Sequence, residues 1–391
     1  MSTPFNLFAI LLCTLQLSAN AATPLKPLND SEVIEVLPTI TRNRPGAPDT
    51  TRSSADPRAA AISAQQSISL ARQTGDNRYW GRAQAVLTPW WDRSDAPIDL
   101  AILQATVQQG RHEFEASRKV LAASLARHPT HAQGWLAMAT LERLSGRYTE
   151  SLAACREVAN AGQALYAQAC LLETRSLTGD HANATKELAQ LAAQADTASQ
   201  QSWLFSLLAE NQERAGQDTL ALSSFQRSLS REPDLYTAIG LADLLLRTGQ
   251  SAAALKVLST YPETDAVLLR RAIAMRRLGD AQWRIKLTEF QGRVADLRRR
   301  GDDPLLHGRE LAMSALWLED DAPRALVLAK QNLLLQREPV DWYMALVSAQ
   351  RAGDKLAADE LAAALKRTGL KDARLDVLVL ARPQILAQAG L

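Results

Sequence analysis

Beyond Pro57, alanine- and leucine-rich segments with apolar residues recurring about every 3.6 positions alternate with short turns, and no stretch shows the alternation of a strand. Alanine and leucine lose little on entering a helix, so pattern and propensity agree on a succession of amphipathic helices. The turns are regularly spaced. Gly75, Gly110, Gly146, Gly179, Gly216, Gly249 and Gly279 follow one another at intervals of 30–37 residues, and Gly353 comes 74 residues later. Asp320, also a turn former, falls inside that last gap. The spacing predicts about nine helical hairpins at a period near 34 residues.

Residues 22–57 have another character. Pro24, Pro27, Pro38, Pro45 and Pro48 exclude a lasting helix and predict an extended leader. Ahead of it, residues 5–17 form an apolar run too short to cross a bilayer, followed by the small residues Ala19 and Ala21. The expectation is a signal peptide over residues 1–21, cut after Ala21, and a periplasmic or secreted protein with no transmembrane segment. Cys13 follows Ile10, Leu11 and Leu12, which are too large for a lipidation site. Export leaves Cys155 and Cys170 as the cysteines of the mature chain in an oxidising compartment, where disulfides persist.

Within one hairpin, residues 133–158, Trp135 opens the first helix, Gly146 and Tyr148 make the turn, and Ser151 supplies a small residue on the second helix. Residues 203–233 repeat the scheme with Phe205, Leu208, Gly216, Ala221, Phe225 and Pro233. Leu241, Gly249 and Ala254 follow it, as do Trp342, Gly353 and Ala358. These positions resemble the tetratricopeptide repeat of exported bacterial envelope proteins over about four-fifths of the chain. Residues 279–320 depart from it through an overlong second helix ending in Arg298, Arg299 and Arg300. The resemblance implies an all-α superhelical solenoid over residues 58–372, because a lone hairpin cannot bury its apolar faces. Residues 373–391 would form a C-terminal capping helix, interrupted by Pro383. The resemblance further implies a binding role for a concave groove lined by the first helices.

Composition narrows the function. With 47% hydrophobic residues and a net charge of +2, the chain folds and has no overall attraction to nucleic acid or an anionic membrane. Residues 270–300 are the local exception, with ten basic and three acidic side chains. Arg276, Arg277, Arg298, Arg299 and Arg300 form a candidate basic face for lipid headgroups, an acidic glycan or an acidic protein, or else a solvated helix face. No aromatic stacking surface was evident among these arginines, which argues against a nucleic-acid partner. Enzyme signatures are missing: there is no G-x-S-x-G elbow, phosphate-binding loop, dinucleotide fingerprint or H-E-x-x-H motif. His128 and His131 lack a third metal ligand nearby in sequence. No catalytic residue, metal or cofactor is expected.

Registering the hairpins on their turn glycines places Tyr166, Trp203 and Tyr236 thirteen residues before Gly179, Gly216 and Gly249, and Glu173, Glu210 and Asp243 six before them. On stacked first helices these become an aromatic ladder beside a carboxylate ladder, with Arg247 alongside. Such a groove suits a basic protein or peptide segment. Alternatively, the aromatics fill joints between hairpins and the acids pair with Arg143, Arg214 or Arg247. The expected function is a non-enzymatic periplasmic scaffold holding a protein or peptide in the groove. Two alternatives are an accessory subunit of an envelope-assembly or polysaccharide-export machine acting through the basic face, and a metal- or small-ligand-binding protein using the groove carboxylates.

Cys155 and Cys170 lie equally far from the turn between their helices, so antiparallel packing brings them level. A bridge across about 15 residues contributes roughly 3 kcal/mol in the chain-entropy model. Intact-mass measurement of denatured, unreduced protein from the periplasm should show no alkylatable pair; two free thiols there refute the bridge.

Overall fold

A helix with one apolar stripe buries it against a neighbour, and a short turn makes that neighbour the next helix in the chain. The computed structural model of the protein describes residues 56–299, 301, 303 and 307–380, all in one packing unit. Among them are 19 α-helices, one short 3-10 turn at Thr88–Trp90 and no strand. The expected signal peptide and nearly all of the leader, together with Arg300, Pro383 and the rest of 381–391, lie outside the described residues.

The helices pair in chain order. The first hairpins are α1 (Pro57–Thr74) with α2 (Arg78–Leu87), α3 (Ile98–Gly110) with α4 (Phe114–Arg127), and α5 (Ala132–Leu144) with α6 (Tyr148–Asn160). Next come α7 (Ala164–Leu177) with α8 (His181–Gln194), α9 (Ala198–Arg214) with α10 (Asp218–Arg231), and α11 (Leu235–Arg247) with α12 (Ser251–Leu258). The last are α13 (Asp265–Arg277) with α14 (Trp283–Arg299), α15 (Gly308–Trp317) with α16 (Ala322–Leu335), and α17 (Pro339–Arg351) with α18 (Lys355–Thr368). Each first helix also packs on the first helix of the following hairpin, and α19 (Ala373–Leu380) packs on α17 as one more of them. This consecutive packing is compatible with a helical solenoid.

The turn residues explain the regularity. Gly146, Gly216, Gly249, Gly279 and Gly353 all take positive φ, and Asp320 takes φ 57° in the equivalent place. Gly110 plays a different part: the left-handed residue of its turn is His112, at φ 61°. Glycine is needed at 110 because a Cβ there would overlap the Trp80 ring. Cys155 of α6 and Cys170 of α7 are joined by a disulfide, with their Cα atoms 5.6 Å apart.

Late loops dock on early turns. The backbone N–H of Arg337, between α16 and α17, donates to the carbonyl of Leu144 at the end of α5 (2.8 Å). One hairpin further along, Lys371 donates to Leu177 at the end of α7, also at 2.8 Å. Both carbonyls belong to a helix's last turn and have no intrahelical donor, so the late loops satisfy them. Apolar burial follows the same route, since Tyr148 and Leu177 belong to one core with Leu365, Leu370, Leu375 and Leu378. Burying Leu375 and Leu378 contributes roughly 1.5–3 kcal/mol each to holding α19.

His112 lies at this junction, beside Gln336 and edge-on to Phe114 and His307. Burial lowers its pKa to about 4, outweighing the opposing effects of Glu310 and Glu338 and adding to those of His307 and Arg309. Above pH 6.5 the imidazole is neutral in both folded and unfolded chains. Between pH 6.5 and 4 the unfolded chain takes the proton first, so up to about 3 kcal/mol of stability is lost as the pH falls. Urea midpoints at pH 7.5 and 4.5 should show the stability difference between wild type and His112→Asn shrinking by about 2 kcal/mol on acidification. A pH-independent difference would remove His112 from this role.

Candidate functional site

The first helices of the later hairpins line an open-sided cavity of about 320 Å³. Its walls come from α9, α11, α13, α15 and α17, with Arg374 of α19 closing one side. Ile239, Ile273, Met313 and Met344 make its middle apolar. Tyr236 projects into this space, which explains why it is 61% accessible although protein surrounds it. The Glu210 carboxylate beside it, with burial adding, holds the Tyr236 phenol well above its usual pKa. Burial in turn raises the pKa of Glu210.

The two predicted ladders enter the cavity lining only in part. Glu210, Tyr236, Asp243 and Arg247 line the cavity, whereas Tyr166, Glu173 and Trp203 lie outside its lining. The Tyr166 and Trp203 rings meet at 5.7 Å, and Trp203 also packs on the core formed by α7, α8 and α9, so these two aromatics serve the joint between hairpins. The carboxylates have guanidinium partners. Arg143 donates to Glu173 at 2.7 Å, and Arg270 forms a two-pronged pair with Asp243 at 2.7 Å. Glu210 has Arg214 at the longer distance of 3.5 Å and the Tyr236 hydroxyl as a hydrogen-bond donor. Arg247 turns away from Asp243 to Glu213 (3.1 Å) and Asp218 (2.6 Å).

A recurrence in the sequence marks the rest of the site. Arg214, Arg247, Arg277 and Arg351 each stand two residues before a turn glycine, and each packs against the residue three before the preceding turn. For Arg214 that residue is Ser176, whose hydroxyl accepts at 2.7 and 3.0 Å, and for Arg247 it is Glu213. For Arg277 it is Leu246, which offers only its backbone carbonyl, and for Arg351 it is Trp317, whose ring lies 4.5 Å away. The place of Asp218 is likewise taken by Ser251 and Ala322 in these later hairpins. Arg277 and Arg351 therefore have no carboxylate partner among the described residues, and burial lowers the pKa of both. These arginines share one register on the turns, as the acids do, so the set is legible in the sequence.

The four described arginines of the candidate basic face are divided. Arg276 and Arg277 end α13 at the hairpin turn, while Arg298 and Arg299 end α14 at the other end of a 17-residue helix, about 24 Å away by helical rise. Arg276 pairs with Asp320 at 2.6 Å and Arg299 with Asp296, while Arg298 is exposed. Trp283 does lie among the segment's arginines, with Arg276 and Arg284 at 5.0 and 4.7 Å from its ring, a stacking contact the sequence reading overlooked.

Glu213 accepts from both Arg247 and Arg374 (3.0 Å) and so ties α19 to the cavity wall. Glu213→Gln removes the negative charge shared by two guanidiniums that keep Asp218 and Asp372 as partners, and should cost about 1–2 kcal/mol. Hydrogen exchange over residues 373–380 should accelerate while α1 to α4 keep their protection; unchanged exchange in α19 would show that Glu213 does not anchor it. No family model matches the chain, and no curated protein matches its sequence.

Proposed function

We propose that the protein is a non-enzymatic, tetratricopeptide-like binding protein of the cell envelope that holds a short segment of a protein or peptide partner in the cavity lined by α9 to α17. The observation that carries this reading is Tyr236, a large aromatic left accessible in the cavity lining, beside Glu210, whose guanidinium partner Arg214 stands 3.5 Å away. An aromatic face and a carboxylate together favour a Lys or Arg side chain. The Cys155–Cys170 bridge supports an oxidising compartment, in keeping with the signal peptide proposed for residues 1–21.

The cavity volume of about 320 Å³ also favours a second reading, a small cationic ligand in the same place. The basic-face alternative draws less support, because its arginines sit at opposite ends of one hairpin and two of them are paired.

Glu210→Gln with Tyr236→Ala tests the site without disturbing the Asp243–Arg270 pair, whose loss would leave Arg270 buried without a counter-charge. Native mass spectrometry with capped peptides carrying one Lys or Arg should show binding that weakens with salt and falls at least tenfold in the double variant. Unchanged binding by a variant of native circular dichroism would remove the cavity from consideration.

A further inference from the structure

The cavity has a second end. Tyr236 stands at the start of α11, while Arg277 donates to the carbonyl of Leu246 at the end of that helix, and all three residues line the cavity. Ten residues of helical rise separate Tyr236 from Leu246, about 15 Å. At this second end Arg277 and Arg351 lie against the half-buried indole of Trp317, at 5.7 and 4.5 Å from its ring. Trp317 is itself part of the cavity lining.

The local charges are unbalanced. Arg247 and Arg374 nearby are engaged by Glu213, Asp218 and Asp372, and Asp320, which faces Arg351, is taken by Arg276. Arg277 and Arg351 are left without a carboxylate. The Tyr343 hydroxyl, half-buried in the cavity wall and facing these four arginines, has no hydrogen-bond partner among the described residues. Guanidiniums without a carboxylate partner, held against an indole beside an unused hydroxyl donor, are complementary to an anionic oxygen group.

We infer that the cavity is a two-ended site whose occupant carries a basic side chain for Glu210 and Tyr236 and, about four residues away along an extended backbone, an acidic side chain for Arg277, Arg351 and Tyr343. The inference rests on the peptide-binding reading above and adds the second charge. The spacing follows from the reach of an extended chain, about 3.4 Å per residue, across about 15 Å. The apolar side chains between the two ends face the intervening residues.

Capped peptides with Lys and Glu separated by three variable residues, in both orders, can be compared with the same library bearing Gln in place of Glu. Native mass spectrometry at matched concentrations should show at least tenfold more complex with the Glu library, and Arg277→Gln with Arg351→Gln should abolish that preference. Equal binding of the two libraries to the wild type, or a preference that survives in the double variant, overturns the second subsite. If binding then still requires Lys and Glu210, the peptide-binding reading stands and only this inference falls. Absence of binding by either library overturns both. The comparison of libraries on the wild type does not depend on how well the variants fold.

Discussion

Two backbone carbonyls at helix ends organise much of this structure. Those of Leu144 and Leu177 belong to last turns with no intrahelical donor, and each receives an N–H from a loop far along the chain. A buried carbonyl without a donor would cost about 1–3 kcal/mol. Meeting that need brings the later hairpins onto the turns of the earlier ones. The apolar core that joins Tyr148 and Leu177 to Leu370 and Leu375 depends on this docking, as does the seat of Arg374 at the cavity.

α9 shows the effect on a single helix. In a simple consecutive array a first helix buries only the side facing its own hairpin and its neighbours. α9 also receives α19, through Glu213, and it buries polar residues on its last turn, Asn211, Gln212, Glu213 and Arg214, along with Leu204, Phe205, Leu207 and Leu208. Such polar burial is tolerable because partners are supplied: Asn211 donates to the His181 carbonyl, Gln212 accepts from Ser224, and Glu213 receives two arginines. Glu213 and Arg214 of this turn line the cavity with partners supplied, and Arg277 and Arg351, which have no carboxylate partner among the described residues, stand out against them.

Those groups follow from small departures within a repeated scheme. The arginine before each later turn packs on the preceding hairpin wherever it occurs. Its charge is matched where Glu213 and Asp218 are available and unmatched where Leu246 and Ser251, or Trp317 and Ala322, take their places. One backbone register therefore yields structural ion pairs in one hairpin and uncompensated cations in another. A guanidinium keeps its positive charge, so an unmatched one favours an anion from outside the chain.

Sequence alone determined what depends on near neighbours. The 3.6-residue period, the turn spacing and the place of Asp320 are local, because helix and turn formation depend on residues a few positions apart. The approach of Cys155 to Cys170 is local too, since both lie at one height beside a single turn. The candidate ladders were legible as register positions, but not their partners: Tyr166 and Trp203 close a joint, and of the residues in the cavity lining Asp243 is occupied by Arg270 while Tyr236 stands beside Glu210. Which acid meets which arginine depends on the angle between successive hairpins, and the closure of the cavity depends on contacts between residues as far apart as Glu213 and Arg374. Those relations are fixed by packing summed over many hairpins, and no local pattern encodes that sum.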